Sequence, residues 1–402
     1  AAIFLLLRSH YTQAGLEQDS PEILNNPFLL ATTSQRYATI FLTFLYYFKL
    51  LIFPQPLTHD YYFNQIPYID INDFLFIFSF VLNGALLIFA FINLKKKPIP
   101  AYAILFYFIT FSIASNVLFT VGVLMNERFI YMSSLGFCIL IAWLLVRYVK
   151  NPKAVSAIFV LVLLLYSGKT FTRNFDWKDS FTLFRRDSHH SPNSAKIQTS
   201  LGGDLTKASD SNIAALRDSG MIKTIFHDLN CNMSNEELNA INMLPDSTIR
   251  YLLLDSSIAH LHKAIDIYKT HSNAWLLLGN ALYKRNHKPE EVIPIYEKAE
   301  TFRVGGYYDA SFNLGVVCNE ANVLPTAKEQ LLKAIEIKPE VADGRFLLAQ
   351  VCAKLNQPDS VAYWLKQAEL IKPAAAADYY QIGTGFGKVA HNLDMAIVYL
   401  KK

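Results

Sequence analysis

Charged residues are scarce in this sequence: Asp, Glu, Lys and Arg make up 17% of its 402 residues, whereas hydrophobic residues make up 52%. The deficit is concentrated in residues 1–170, and residues 98–126 contain no Asp, Glu, Lys or Arg. Long apolar runs of this kind indicate membrane helices rather than a soluble core. The remainder of the chain has the composition of an ordinary soluble protein.

Other absences narrow the class of protein. The 4 Cys form no CxxC pair and no metal-ligand spacing, so neither a disulfide framework nor a metal site is predicted. The net charge of +4 is too small to indicate a nucleic-acid partner, and none is predicted. The stretch IGTGFGK at 382–388 is no phosphate loop, because no strand precedes it and no Ser or Thr follows its Lys. No cofactor is predicted.

The ends of the sequence are also unusual. It lacks an initial Met, shows no signal peptide, and stops within a repeat. We therefore expect it to be an internal fragment of a longer protein.

The apolar runs predict four spans, each long enough to cross about 30 Å of hydrocarbon. They lie at about 74–94, 101–122, 129–147 and 154–170. Clusters of positive charge before the second and fourth spans indicate cytoplasmic loops; these clusters are Lys95–Lys97 and Arg147, Lys150 and Lys153. Because successive spans cross the membrane in opposite directions, three parts are predicted on the outer side. They are residues 54–73, the pair Glu127–Arg128, and everything after residue 170.

The segment 36–53 admits two interpretations. Its polar residues Arg36, Thr39, Thr43 and Tyr46 fall on one helical face, and both flanking loops are poor in positive charge. This pattern favours an interfacial or re-entrant helix over a true span.

A 34-residue period runs through the C-terminal part, where Gly315, Ala349 and Gly383 recur at that interval, as do Pro339 and Pro373. This is the period of the tetratricopeptide repeat (TPR), a helix–turn–helix unit. Small residues let its two helices cross closely, and Pro stops the second helix. Regular repeats are predicted for 271–402. Residues 193–270 are predicted to form an irregular first repeat with an insertion or mobile loop at 208–246. Residues 171–192 are predicted to form a connector.

The pair Glu127–Arg128, at the start of an apolar run, has two interpretations. One is an ion pair that ends a helix. In the other, Arg128 binds an anionic lipid headgroup, for which guanidinium is suited by its planar fork of donors. In that case Glu127 would orient Arg128, and Tyr131, one turn along, would add a hydrogen bond.

The outer loop carries a second candidate site in HDYYFNQIP, residues 59–67. His59, Asp60 and Tyr61 combine aromatic and polar groups, as sugar or acceptor sites do. An interfacial aromatic belt is the alternative.

These segments occur in a specific order. NERFIYMSSLGF is followed by a membrane helix, a basic loop, another helix, RNFDWKDSFTLF and then TPRs. This order resembles the transmembrane and TPR repeat-containing protein O-mannosyltransferases, and residues 36–67 look like the middle domain of that family. The resemblance implies a GT-C-type membrane glycosyltransferase with a polyprenyl-phosphate-linked sugar as donor. The family's catalytic acidic residues are expected upstream of this sequence, so we name no catalytic residue.

We therefore predict an all-α protein: polytopic membrane helices, residues 1–170, followed by a TPR superhelix. Its expected function is transfer of a sugar, with mannose as the candidate, to protein Ser or Thr on the extracytoplasmic side, with acceptor protein bound by the concave TPR face. The alternative is a non-enzymatic membrane scaffold whose TPRs recruit envelope or secretory-pathway proteins. The expected location is a bacterial inner membrane with periplasmic TPRs, or else the endoplasmic reticulum with lumenal TPRs.

Overall fold

The computed structural model describes residues 26–229, 233–303 and 305–401, so the first 25 residues of the predicted membrane domain lie outside the described residues. The chain forms two compact units. The first comprises residues 1–201 and 222–238, and the second comprises residues 202–221 and 239–402. Every regular element among the described residues is helical, which confirms the predicted all-α class.

The first six helices belong to the membrane half and the connector. They are α1 (Thr33–Ile52), α2 (Phe74–Asn93), α3 (Pro98–Phe111), α4 (Tyr131–Tyr148), α5 (Pro152–Asn174) and α6 (Ser180–His190). Among the described residues, three segments are long and apolar enough to cross a membrane: Phe74–Asn93, Glu127–Tyr148 and Pro152–Trp177. Large apolar side chains on α5, such as Leu164 at 64% exposure, need lipid around them.

The predicted second span, 101–122, differs in the structure. The helix α3 begins at Pro98, where Pro suits the first turn, and ends at Phe111. Residues beyond Ser112 take an irregular path because Asn116, in a left-handed conformation at φ 60°, bonds the carbonyls of Val123 and Leu124. The absence of charged residues did not predict the length of this helix.

The helix α1 uses its polar face in an unexpected way. Thr39 and Thr43, placed on the face expected to meet water or headgroups, are 0% and 2% exposed. The Thr39 hydroxyl accepts a hydrogen bond from the backbone N–H of Ile69, at 3.2 Å. This face of α1 therefore packs against the loop 54–73 within the same unit. Whether α1 spans the membrane remains a prediction.

The second unit contains the repeats. Its paired helices are α12 (Ser272–Lys284) with α13 (Pro289–Thr301), α14 (Tyr308–Glu320) with α15 (Leu324–Ile337), α16 (Asp343–Lys354) with α17 (Pro358–Glu369), and α18 (Ala376–Thr384) with α19 (Leu393–Leu400). A small residue lies where the paired helices cross, such as Gly315 in α14, Ala349 in α16 and Gly383 in α18. A Cβ on Gly315 would lie 2.7 Å from Leu331 Cγ, and one on Gly383 would lie 2.7 Å from Leu400 Cγ. The 34-residue period is therefore a packing requirement.

The turn inside each repeat has its own signature. Asn286, Asn322 and Asn356 all adopt left-handed conformations, with φ between 56° and 66°. Asn tolerates this region better than most residues, so it ends each first helix. In the last repeat His391 takes this place, and the π-helical segment Gly385–Val389 absorbs the one extra residue.

The irregular first repeat is formed by α7 (Ala195–Asp210) and α11 (Asp246–Ile267). Gly202 is again the crossing point, because a Cβ there would lie 2.6 Å from Leu261 Cγ. The expected insertion at 208–246 is largely helical rather than an open loop. It contains α8 (Ile213–Asp218), α9 (Met221–Leu229) and α10 (Asn235–Asn242). The apolar face of α9, with Ile222 and Ile225 fully buried, supplies the reason.

Candidate functional site

The loop 54–73, the turn Glu127–Ile130 before α4 and the connector meet in a group of polar residues that we call the junction cluster. It consists of Thr58, His59, Tyr61, Glu127, Arg173 and Asp187. Asn126 precedes it and holds the loop in place: its side-chain amide donates to the His59 carbonyl at 3.0 Å. The Tyr47 hydroxyl in turn donates to the Asn126 carbonyl at 3.0 Å. All of these residues belong to the first unit.

Glu127 faces the loop and not Arg128. Its carboxylate accepts from the backbone N–H of Thr58 at 2.7 Å and from the Tyr61 hydroxyl at 2.9 Å. Burial raises the pKa of Tyr61 above its usual range, and the negative charge of Glu127 raises it further. Tyr61 therefore stays protonated and keeps donating. The expectation that Glu127 orients Arg128 is not met by this geometry, because the charge of Glu127 is used to fix the loop.

Asp187, on α6, is the centre of the junction cluster and is 0% exposed. One carboxylate oxygen accepts from the His59 backbone N–H at 2.7 Å and lies 2.9 Å from His59 Nδ1. The other lies 2.7 Å from a guanidinium nitrogen of Arg173. Burial raises the pKa of Asp187, but the hydrogen bonds from His59 and Arg173 outweigh burial and hold that pKa below its usual range. Asp187 is therefore an ionised, buried anchor.

The motif RNFDWKDSFTLF supplies the partners of this anchor. Arg173 also contacts Asp176, at 3.1 Å, and its guanidinium lies 6.0 Å from the centroid of Trp177. These residues were predicted only as part of a connector, and their ionic role was not anticipated. An Arg at the end of an apolar helix, followed by acidic residues three and fourteen positions later, was the available signal.

The carboxylate of Asp60 is not part of the junction cluster, although its backbone carbonyl accepts from the Thr58 hydroxyl at 3.2 Å. Its carboxylate pairs with Lys196 and accepts the backbone N–H of Tyr62 at 2.8 Å. The predicted set His59, Asp60 and Tyr61 is thus turned inward, with exposures of 14% for the His59 side chain and 3% and 6% for Asp60 and Tyr61. These contacts describe how the loop is held. A role in binding sugar or acceptor stays a prediction.

Arg128 and Tyr131 point away from these contacts. Arg128 is exposed, and its guanidinium lies 5.5 Å from the centroid of the Phe129 ring. Within the described residues no carboxylate lies at ion-pair distance from it. Tyr131 is 78% exposed. An unpaired, always charged guanidinium at the first turn of an apolar segment can bind an anion such as a phosphate.

Fold and site together define a class of protein: a helical membrane domain that carries an array of TPR helix pairs. No protein-family model matches the chain. It is similar to human protein O-mannosyl-transferase TMTC3, with 27% identity over 83% of this chain and 38% of that protein. The mouse protein O-mannosyl-transferase TMTC3 gives the same values. The Drosophila melanogaster protein O-mannosyl-transferase Tmtc3 is 23% identical over 74% of this chain.

These relatives confirm the predicted resemblance to the transmembrane and TPR repeat-containing O-mannosyltransferases. The chain spans less than two fifths of their length. Among solved structures, the TPR protein YrrB is 20% identical over 44% of the chain, with a TM-score of 0.33. The crystal structure of MamA is 20% identical over 39% of the chain, and its TM-score is also 0.33. The TPR assignment rests on the helix pairs themselves.

Proposed function

We propose that the full-length protein containing this chain is a membrane glycosyltransferase. It moves a sugar, with mannose as the first candidate, from a polyprenyl-phosphate donor to a Ser or Thr hydroxyl of a protein. The supporting observation is the similarity to protein O-mannosyl-transferases along 83% of the chain. In the reaction the sugar–phosphate bond breaks, the hydroxyl oxygen bonds to the sugar, and its proton passes to a base. No residue of this chain is assigned as that base.

Within this proposal, Arg128 binds the donor phosphate and Tyr131 adds a hydrogen bond. Both are exposed at the start of a segment that is apolar enough to cross a membrane, which is where a lipid headgroup lies. The Glu127 carboxylate accepts hydrogen bonds from Thr58 and Tyr61 and does not pair with Arg128. The charge of Arg128 can therefore pair with an external anion. Glu127 holds the site in place without touching the guanidinium.

Transfer itself is the test that separates an enzyme from a scaffold. The full-length protein, purified in detergent, should move radiolabelled mannose from polyprenyl-phosphate mannose to a Ser/Thr-rich protein. The transferred sugar should be released from the acceptor protein by β-elimination, as sugars linked to Ser or Thr are. A protein that binds partners through its repeats but shows no transfer from any polyprenyl-phosphate sugar would instead be the scaffold.

The proposed topology places the junction cluster and the repeats on the extracytoplasmic side. Clusters of Lys and Arg support it, since positive loops stay in the cytoplasm. In a variant without native cysteines, Asp70→Cys should react with a membrane-impermeant maleimide in intact cells or sealed lumen-out vesicles. Lys96→Cys should react only after permeabilisation. Both positions are exposed in the structure, so accessibility within the protein does not limit labelling. Labelling of position 96 before permeabilisation would reverse the orientation.

A further inference from the structure

The last turn of α5 and the short turn that follows it carry three large aromatic side chains on their surface. Phe171, Phe175 and Trp177 are 66%, 64% and 58% exposed, and we call these three residues the aromatic collar. The rings of Phe171 and Phe175 pack edge to face, with their centroids 5.1 Å apart. A contiguous apolar patch of this kind marks a surface that meets a partner or a membrane.

The charge-free part of α5 is too short to cross a membrane by itself. Residues 154–168, between Lys153 and Lys169, contain no Asp, Glu, Lys or Arg. At 1.5 Å per residue this stretch rises about 22 Å, whereas a span must cross about 30 Å of hydrocarbon. The surface of α5 that faces lipid must therefore stay apolar for about five residues beyond Gly168. Lys169 can be accommodated there, because its long side chain reaches towards the headgroups.

The side chains that follow meet this requirement on one face of the helix. At 3.6 residues per turn, Leu164, Phe171 and Phe175 lie within about 40° of one another around the helix axis. Arg173 lies on the opposite face and is 9% exposed, because its guanidinium pairs with Asp187. The apolar face of α5 thus continues past the point at which its sequence first carries charge.

We infer that the aromatic collar is an interfacial anchor, which binds the phospholipid bilayer at the level of the lipid carbonyl groups. Aromatic side chains are enriched at this depth, and Trp suits it because an apolar ring carries a polar N–H. The collar is continuous with the apolar segment Pro152–Trp177, which argues for lipid as the partner and against a protein. The membrane surface then passes at the level of Arg173, so the Arg173–Asp187 ion pair lies directly outside the hydrocarbon.

Nitroxide labels measure this depth directly. Full-length protein without native cysteines is reconstituted in phosphatidylcholine vesicles, with one label on Leu164→Cys, Phe171→Cys or Phe175→Cys. Oxygen concentrates in hydrocarbon, whereas a nickel chelate stays in water. The ratio of oxygen to chelate collisions should be highest at 164, lower at 171 and lowest at 175, because the helix rises about 10 Å and then about 6 Å between these positions.

Tyr380→Cys is the matched control for the labels. Tyr380 is 56% exposed, like the collar residues, but lies on α18 among the repeats. Its label should give the low ratio of a group in water, severalfold below that at 175. Each labelled protein should unfold at the same temperature as the cysteine-free parent, which shows that labelling leaves the fold intact.

Trp177 provides a second measurement that leaves an aromatic ring at every position of the collar. The difference in fluorescence between wild type and Trp177→Phe isolates the emission of Trp177. Phospholipids brominated near the carbonyl end of the acyl chain should quench this emission more strongly than those brominated near the methyl end. Trp364→Phe is the control: Trp364 lies on α17, so its emission should be quenched by neither lipid.

Two results would overturn the inference. Labels at 171 and 175 that are shielded from both oxygen and the chelate, with Trp177 quenched by neither lipid, would show that protein covers the collar. Collision ratios at 171 and 175 as low as that at 380 would show that the collar lies in water. Neither assay measures sugar transfer, so either result would leave the proposed function untouched, and loss of the proposed function would leave the anchor intact.

Discussion

Arg128→Ala should reduce sugar transfer by the full-length protein roughly ten- to a hundredfold, at subsaturating donor. A charge-assisted hydrogen bond to phosphate contributes about 1.5–3 kcal/mol, and each 1.4 kcal/mol is tenfold. The guanidinium forms no ion pair among the described residues, so its removal leaves no buried carboxylate without a partner. Expression and thermal stability should therefore match those of wild type.

Arg128→Lys separates charge from geometry. Lysine keeps the positive charge but loses the planar fork that binds two phosphate oxygens together, so an intermediate loss is expected. The measurement is the apparent KM for polyprenyl-phosphate sugar in detergent, with the transfer rate at saturating donor alongside.

Arg147→Ala is the matched control for Arg128. Arg147 is exposed, like Arg128, and lies at the opposite end of the apolar segment Glu127–Tyr148. Its removal should leave donor use unchanged. An unchanged donor KM and rate in Arg128→Ala would show that the residue has a structural role at most.

Asp187→Asn should destabilise the first unit by about 3 kcal/mol, since breaking a buried ion pair leaves an uncompensated buried charge. Arg173 is 9% exposed, so little water reaches its guanidinium once the carboxylate is neutral. The amide also replaces an oxygen that accepts from His59 and Arg173. The midpoint of thermal unfolding in detergent should fall by at least about 5 °C.

Asp176→Asn serves as the control for Asp187. It removes another carboxylate from the same Arg173, but Asp176 is 24% exposed and partly solvated. We expect a loss below about 1 kcal/mol, as for exposed pairs. Equal losses in the two variants would contradict the assignment of Asp187 as the buried anchor.

The pH dependence of unfolding stability provides a second test of the role of Asp187. Its pKa is lower in the folded protein than in the unfolded chain, so the unfolded chain binds a proton first as pH falls. The stability contributed by Asp187 is complete above the usual carboxyl pKa of about 4 and is lost as pH falls through the folded value. The difference in stability between wild type and Asp187→Asn should therefore shrink below about pH 4.

Local patterns in the sequence anticipated much of the second unit. Gly315 and Gly383 were assigned to helix crossings from spacing alone, and both lie against a Leu of the paired helix. Spacing works here because a repeat places chemically equivalent residues in equivalent contacts. Where the repeat is interrupted, composition predicted an insertion or mobile loop at 208–246 but not its three helices, because short helices with one apolar face resemble loops in composition.

The candidate site was harder to anticipate. Glu127 and Arg128 are adjacent in sequence, and a pairing between them was one of two interpretations. In the structure, the Glu127 carboxylate instead accepts hydrogen bonds from Thr58 and Tyr61, which are 69 and 66 residues away in sequence. Adjacent residues near the start of a helix project in different directions, so proximity in sequence does not decide which charges meet.

The sequence by itself determined the apolar half, the 34-residue period and the family resemblance, because each is written in the order and spacing of residue types along the chain. Only the tertiary structure decided that Asp187 is the buried partner of Arg173 and His59, and that Glu127 fixes the loop and leaves Arg128 exposed. Hydrogen bonds and ion pairs act over a few ångströms in space. Their partners are therefore chosen by how distant segments pack, which no local pattern records.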